Sequence, residues 1–135
     1  MKKFLFFTFA ALCCFGTIHA VNWTQNYQEA ANRAKANSKP VILFFTGSDW
    51  CSWCHKMEDE ILNTPEFNQQ TAGQYEFVLV DFPMKTQQQP SIKAQNQDLM
   101  KRYNVQGFPT LVIVDPKTNQ QIGTLGYKAG GGAQY

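Results

Sequence analysis

Two cysteines, Cys51 and Cys54, stand three positions apart in the segment Asp49-Trp50-Cys51-Ser52-Trp53-Cys54-His55. Thiols at that spacing can exchange disulfides, supply half of a metal site or carry a covalent haem. In exchange, one thiolate attacks a disulfide sulfur and the second thiol resolves the mixed disulfide. Zinc would need two further ligands. Past the first twenty residues the chain offers only His55 and no second cysteine pair, and Cys54 and His55, being adjacent, would strain to share one metal. A purely structural bridge closing so short a loop gains little entropy. The sharpest rival is haem, because Cys51-Ser52-Trp53-Cys54-His55 fits the C-x-x-C-H pattern. Haem would take His55 as an axial ligand and usually a helical fold, and the apolar strands on both sides of the motif argue against it. The reading is redox exchange, with no metal and no cofactor.

The chain of 135 residues is enough for one domain. Met1-Lys2-Lys3 opens it with positive charge, an apolar run spans Phe4 to Ile18, and Ile18-His19-Ala20 ends on a small residue. That is the plan of a secretory signal peptide over residues 1–20, with cleavage after Ala20. A retained anchor is the alternative, but a span needs roughly 20 apolar residues. Lipoprotein processing at Cys13 or Cys14 is disfavoured because Leu12 and Cys13, which precede them, are poor matches to the expected small residue. The mature part, residues 21–135, then keeps two of the four cysteines, both in the motif. Lys2 and Lys3 leave too, so twelve basic residues become ten against ten acidic ones and the formal charge falls from +2 to zero. Nothing in a neutral chain calls for nucleic acid or an anionic membrane surface. The expected location is the periplasm or the exterior, where disulfides form and persist. Asn22-Trp23-Thr24 also matches a glycosylation acceptor, a pattern common by chance.

The elements that must position the cysteines follow from periodicity. Trp23, Tyr27, Ala30, Ala31 and Ala34 recur at helical spacing, predicting a helix from Trp23 to Asn37 that Pro40 stops. Val41 to Phe45 is a continuous apolar run, as in a central strand buried on both faces. Thr46-Gly47-Ser48-Asp49 turns the chain into a helix from about Trp50 to Leu62, and Asn63-Thr64-Pro65-Glu66 starts another. Tyr75 to Phe82 reads as a second buried strand and Pro83 to Ala94 as a polar excursion. Gln95 to Tyr103 reads as a helix with Leu99 and Tyr103 on one face. Leu111–Val114 and Ile122 to Tyr127 form a closing hairpin across Asp115-Pro116-Lys117-Thr118-Asn119. The class is α/β, a mixed sheet with an antiparallel edge. No helix remains to cover one face of the hairpin, so either that face is protected otherwise or the sequence stops short of a final helix. On this reading Cys51 stands at a helix N-terminus, where free N–H groups and the helix dipole favour a thiolate.

Phe44-Phe45 leading to Asp49-Trp50-Cys51-Ser52-Trp53-Cys54 resembles the strand and CxxC centre of the thioredoxin superfamily, and Tyr103-Asn104-Val105-Gln106-Gly107-Phe108-Pro109-Thr110 resembles its second signature, which ends in a cis-proline and threonine. The resemblance covers roughly residues 21–127 and is nearest in flavour to bacterial periplasmic thioredoxin-like reductases of the DsbH or DsbD C-terminal-domain kind. It implies a three-layer thioredoxin-like fold, Cys51 as nucleophile, Cys54 as resolving thiol and Pro109 as the cis-proline facing them, with the Phe108 backbone pairing with an extended substrate. Trp50 and Trp53 are candidate apolar contacts for protein substrates, Trp53 the more exposed; Trp50 packing on the core is the plainer alternative. Many members of the superfamily bury an aspartate in the strand before the motif, paired with a lysine in the next strand. Phe45 occupies the first position and Phe77, by spacing, the second. Both charges are absent together, which avoids burying one unpaired. Glu58, one helical turn beyond Cys54, is a candidate for proton transfer, although Asp59 and Glu60 beside it suit a solvated helix face.

The expected activity is reduction or isomerisation of protein disulfides by a monomer that a membrane electron carrier keeps reduced. An oxidase with the same residues, a c-type haem protein and a binding module that has kept the fold are the alternatives.

Overall fold

The computed structural model describes residues 21–132. The expected leader over residues 1–20 and its expected cleavage after Ala20 lie outside them.

Trp23–Thr24 forms a two-residue strand, β1, and Tyr27–Ala36 the helix α1. The helix expected from Trp23 therefore starts later. Asn26 caps it by accepting the Glu29 N–H at 3.1 Å, and the sheet claims Trp23 and Thr24, which pair in parallel with Phe77 and Val78. Val41–Thr46 is β2, buried along its whole length. Ser52–Met57 is α2, which continues as a π-helical turn over Glu58–Leu62. Thr64 then caps α3 (Pro65–Thr71), with proline in the first turn where no N–H is needed.

Glu76–Asp81 is β3, and Pro90–Arg102 is α4. That helix begins at Pro90 rather than Gln95, because proline is pre-set for a first helical turn even in a glutamine-rich stretch. The polar excursion shortens accordingly. Thr110–Asp115 and Gln120–Leu125 are β4 and β5. Asn119, at φ 57°, turns the chain between them.

The strands lie in the order β1-β3-β2-β4-β5. β1 and β2 run parallel to β3, while β4 pairs antiparallel to β2 and β5 antiparallel to β4. Side chains alternate along each strand, so β2 feeds two cores. Val41, Leu43 and Phe45 face α1 and α4, joining Tyr27, Ala30, Ala34, Leu99 and Tyr103. Ile42 and Phe44 face α2 and α3, joining Cys54, Met57, Ile61 and Phe67. Helices cover both faces of the mixed sheet, which is a three-layer thioredoxin-like fold. Full burial of each such side chain is worth roughly 1.5–3 kcal/mol, so β2 is the rigid base from which the next turn springs.

Candidate active site

The site grows directly from the end of β2. Gly47 O accepts the N–H groups of Trp50 (3.2 Å) and Cys51 (2.9 Å), closing a turn that delivers Cys51 to the start of α2. A side chain at Gly47 would collide with the Trp50 indole, so glycine is what lets that ring fold back over the turn. Cys51 is extended (φ −94°, ψ 100°) and acts as the helix N-cap: its Sγ accepts the Cys54 N–H at 3.2 Å. Sulfur here fills the position usually held by a serine, threonine or aspartate oxygen.

Cys51 and Cys54 are joined by a disulfide, with Cα atoms 5.3 Å apart. Their exposure differs in a way that matters for chemistry. Cys51 retains 7% of its surface and Cys54 none. An incoming sulfur can reach Cys51 alone, while Cys54 sits behind it, packed with Met57 and Ile61.

Aromatic rings wall the site. Trp50 donates its indole N–H to Phe82 O at 2.8 Å and stands edge-on to Phe108, centroids 5.8 Å apart. Phe82 packs against Phe108, centroids 5.2 Å apart and rings tilted by 35°. The fold thus brings Trp50 and Phe108, from segments far apart in sequence, to one wall beside the cysteines. The Phe108–Pro109 bond is cis, and Thr110 immediately after it pairs with Phe45 at the end of β2. Trp50 is 43% exposed and Trp53 56%, so both contribute apolar surface to solvent, Trp53 more of it.

The two positions that the resemblance matched to a buried aspartate and lysine do not face each other. Phe45 pairs with Val80 and packs toward α1 and α4, whereas Phe77 pairs with Ile42 and packs on the cysteine face. Parallel register decides this, and spacing alone could not. Val78 and Val80 occupy the Phe45 face of β3, so that side of the sheet is apolar too.

Carboxylates gather instead at the outer side of α2. Asp81, at the end of β3, accepts from Ser48 N–H at 2.9 Å and from the Ser48 hydroxyl. His55 Nε2 lies 2.7 Å from Ser48 O. Glu58 is half-buried on the turn after Cys54, and burial pushes its carboxyl above the ordinary range; the His55 charge opposes this, and Asp59 and Asp81 add to it. Among the described residues no cluster of three or more His, Cys, Asp or Glu side chains has the arrangement of a metal site.

Several residues at the site escape sequence reasoning. Asp49 accepts the N–H groups of Met84 (2.9 Å), Lys85 (2.8 Å) and Thr86 (2.9 Å), bolting the segment after β3 to the residue before Trp50. Those bonds, with Met84 first, hold its carboxyl down at about 2. Gly47, Ser48 and Asp81 belong to the same scaffold. Asp49 before a helix start is at best a generic turn signal, and its partners lie 35 to 37 residues away.

A thioredoxin-like domain model matches residues 27–129. The chain belongs to the thioredoxin-like family. It is 44% identical over 111 residues to the disulfide bond reductase DsbH of Chlamydia pneumoniae, covering 82% of this chain and 66% of that protein. The chain therefore spans just under two thirds of that relative's length. A solved structure of a DsbH oxidoreductase superposes with a TM-score of 0.81 at 43% identity, covering 87% of this chain and 80% of that one. The oxidised C-terminal domain of Neisseria meningitidis DsbD matches at a TM-score of 0.54 and 25% identity, over 75% of this chain and 80% of that domain. Within this thioredoxin-like frame, the CxxC pair, its aromatic wall and the cis Phe108–Pro109 bond stand at one end of the sheet.

Proposed function

We propose that the protein is a periplasmic thiol–disulfide oxidoreductase that reduces or isomerises disulfides in other proteins. The observation that carries this reading is the asymmetric pair: a disulfide at the mouth of a helix with one sulfur reachable and the other sealed. In the reduced protein, the Cys51 thiolate attacks a substrate disulfide, and one substrate sulfur departs as thiolate and takes a proton. Cys54 then loses its proton, attacks Cys51 Sγ and expels the second substrate thiolate. Two electrons pass to the substrate, leaving the Cys51–Cys54 disulfide seen here. A further turnover needs a dithiol donor, for which a membrane electron carrier is the natural source. Similarity to a protein named as a disulfide bond reductase supports this direction.

Trp50, Trp53, Phe108 and Pro109 are assigned to substrate contact, with an extended polypeptide running beside the Phe108 backbone. Glu58 is assigned as the proton acceptor for Cys54, because its raised carboxyl is a better base than an ordinary solvated one. The protein acts as a monomer, needs no cofactor and binds no nucleic acid in this reading. Export rests on the leader at residues 1–20, and no described helix is long and apolar enough to cross a membrane. N-terminal sequencing of the exported protein should begin at Val21.

Insulin reduction by the dithiothreitol-reduced protein tests the activity: Cys51→Ser should abolish it, and unchanged turnover would sink the assignment. Cys54→Ala should trap substrates as mixed disulfides. Direction is tested separately against glutathione. Because the Cys54 N–H is aimed at Cys51 Sγ, where it would stabilise the thiolate of the reduced protein, an oxidase is the second reading, and a potential near those of strong periplasmic oxidants would establish it in place of a reductase.

A further inference from the structure

Trp53, inside the CxxC motif, does not stand free. Its ring lies 5.4 Å from that of Tyr127, tilted by 52°. Lys56 Nζ sits over both, 5.1 Å from the Trp53 ring and 5.5 Å from the Tyr127 ring. The Tyr127 hydroxyl donates to Glu60 Oε2, and Glu60 Oε1 lies 3.9 Å from Lys56 Nζ. Tyr127 comes from the segment after β5, and the same segment brings Gly131 and Gly132 against Glu60, Thr64 and Phe67. Three side chains from two distant parts of the chain, Lys56 and Glu60 on one side and Tyr127 on the other, thus form a cage against an indole that remains 56% exposed.

We infer that Tyr127 is a positioning residue that fixes Trp53 as a contact surface for disulfide-bearing polypeptides, with Lys56 as the clamp. This rests on the reading of Cys51 as the nucleophile. An exposed tryptophan at the start of a helix would otherwise sample several rotamers, and a substrate would have to order it on binding. One aromatic contact and a cation over both rings remove that freedom beforehand. The benefit falls on substrates large enough to reach Trp53. A small disulfide that reaches only Cys51 Sγ gains nothing from the cage. Tyr127 is therefore a determinant of preference for protein over small-molecule disulfides, acting through Trp53.

The test compares second-order rate constants of the reduced protein with insulin and with hydroxyethyl disulfide, in wild type, Tyr127→Leu, Trp53→Ala and the double variant. Tyr127→Leu should lower the insulin constant by about three- to tenfold, the range of an aromatic pair, and shift the small-disulfide constant by less than about twofold. The near-ultraviolet dichroism that couples the two rings should vanish. In the Trp53→Ala background, Tyr127→Leu should cost nothing further, because its effect passes through the indole. An unchanged insulin constant in folded Tyr127→Leu, or an equal loss with and without Trp53, would overturn the inference. Should Tyr127→Leu fail to fold, Lys56→Met serves in the same assays, and an unaltered ratio of insulin to small-disulfide rates would overturn it equally. If wild type reduces neither disulfide, or Cys51→Ser still reduces insulin, the nucleophile assignment fails and this inference with it. Loss of selectivity concerns Tyr127 alone.

Discussion

The backbone N–H of Cys54 donates to Cys51 Sγ across 3.2 Å, so the sulfur proposed to attack is also the cap of the helix that carries its partner. Chemistry and local stability therefore meet in one atom, and two substitutions separate them. Cys51→Ser keeps a cap acceptor and loses the nucleophile; Cys51→Ala loses both. Both should be inactive in insulin reduction. Chemical denaturation of the reduced proteins should find Cys51→Ala less stable than Cys51→Ser by about 1 kcal/mol, within the ~0.5–2 kcal/mol cost of losing a cap. Equal stabilities would show that the sulfur contributes no cap.

The proton-transfer role proposed for Glu58 would link pH to the resolving step. The Glu58 carboxyl titrates higher in the folded protein than in the unfolded chain, chiefly through burial. Between those two values the folded state holds more protons, so stability falls as pH rises through that window. Glu58→Gln should abolish this slope and leave the variant at least as stable as wild type at neutral pH. If Glu58 accepts the Cys54 proton, the same variant should slow release of the mixed disulfide by about tenfold or more, with the pH dependence of that step lost. Quenched-flow separation of the mixed disulfide reads this directly, and an unaltered release rate would remove Glu58 from the mechanism.

Asp49 works in the opposite sense. Three backbone N–H groups hold its carboxyl down at about 2, against an ordinary 3.8, so its contribution is fully present above the ordinary value and lost as pH falls through about 2. Asp49→Ala should release the segment at Met84, Lys85 and Thr86. Hydrogen exchange at those three amides should accelerate by about tenfold or more at neutral pH, while the β2 amides stay protected. Unchanged exchange would mean that the segment is held by other contacts, Trp50 Nε1 to Phe82 O foremost.

What could be read from the sequence and what could not divide along physical lines. The continuous apolar run Val41–Phe45 announced a strand buried on both faces, and it is the centre of the sheet. Thr64 with Pro65 announced a helix start, because cap chemistry is local. The cysteines stood out because only two remain after residue 20. Elements that depend on distant partners were illegible. Trp23–Thr24 looks helical until Phe77 and Val78 are beside it, and nothing in Asp49 reveals Met84. The pairing of Phe45 with Val80 rather than Phe77 is a matter of register, which strand composition does not encode. Tyr127 read as a hairpin residue, yet it closes on Trp53 beyond the last strand.

Thr46 gives the last prediction. It ends β2, directly after Phe45, and alternation turns it toward the face that holds Phe44 and both cysteines. Its Oγ1 is fully buried, and among the described residues it is the buried side-chain polar atom without a hydrogen-bond partner. Asp81, opposite it in register, has its carboxylate engaged by Ser48. A buried hydroxyl left unpaired costs about 1–3 kcal/mol of desolvation, and valine has nearly the same shape without that cost. Thr46→Val should therefore stabilise the protein by about 1 kcal/mol in reversible denaturation. Insulin reduction should stay close to wild type, since neither cysteine nor the aromatic wall bonds to that hydroxyl. A destabilised variant would reveal that Oγ1 has a partner in solution, and the face behind Cys54 would then be a wet one.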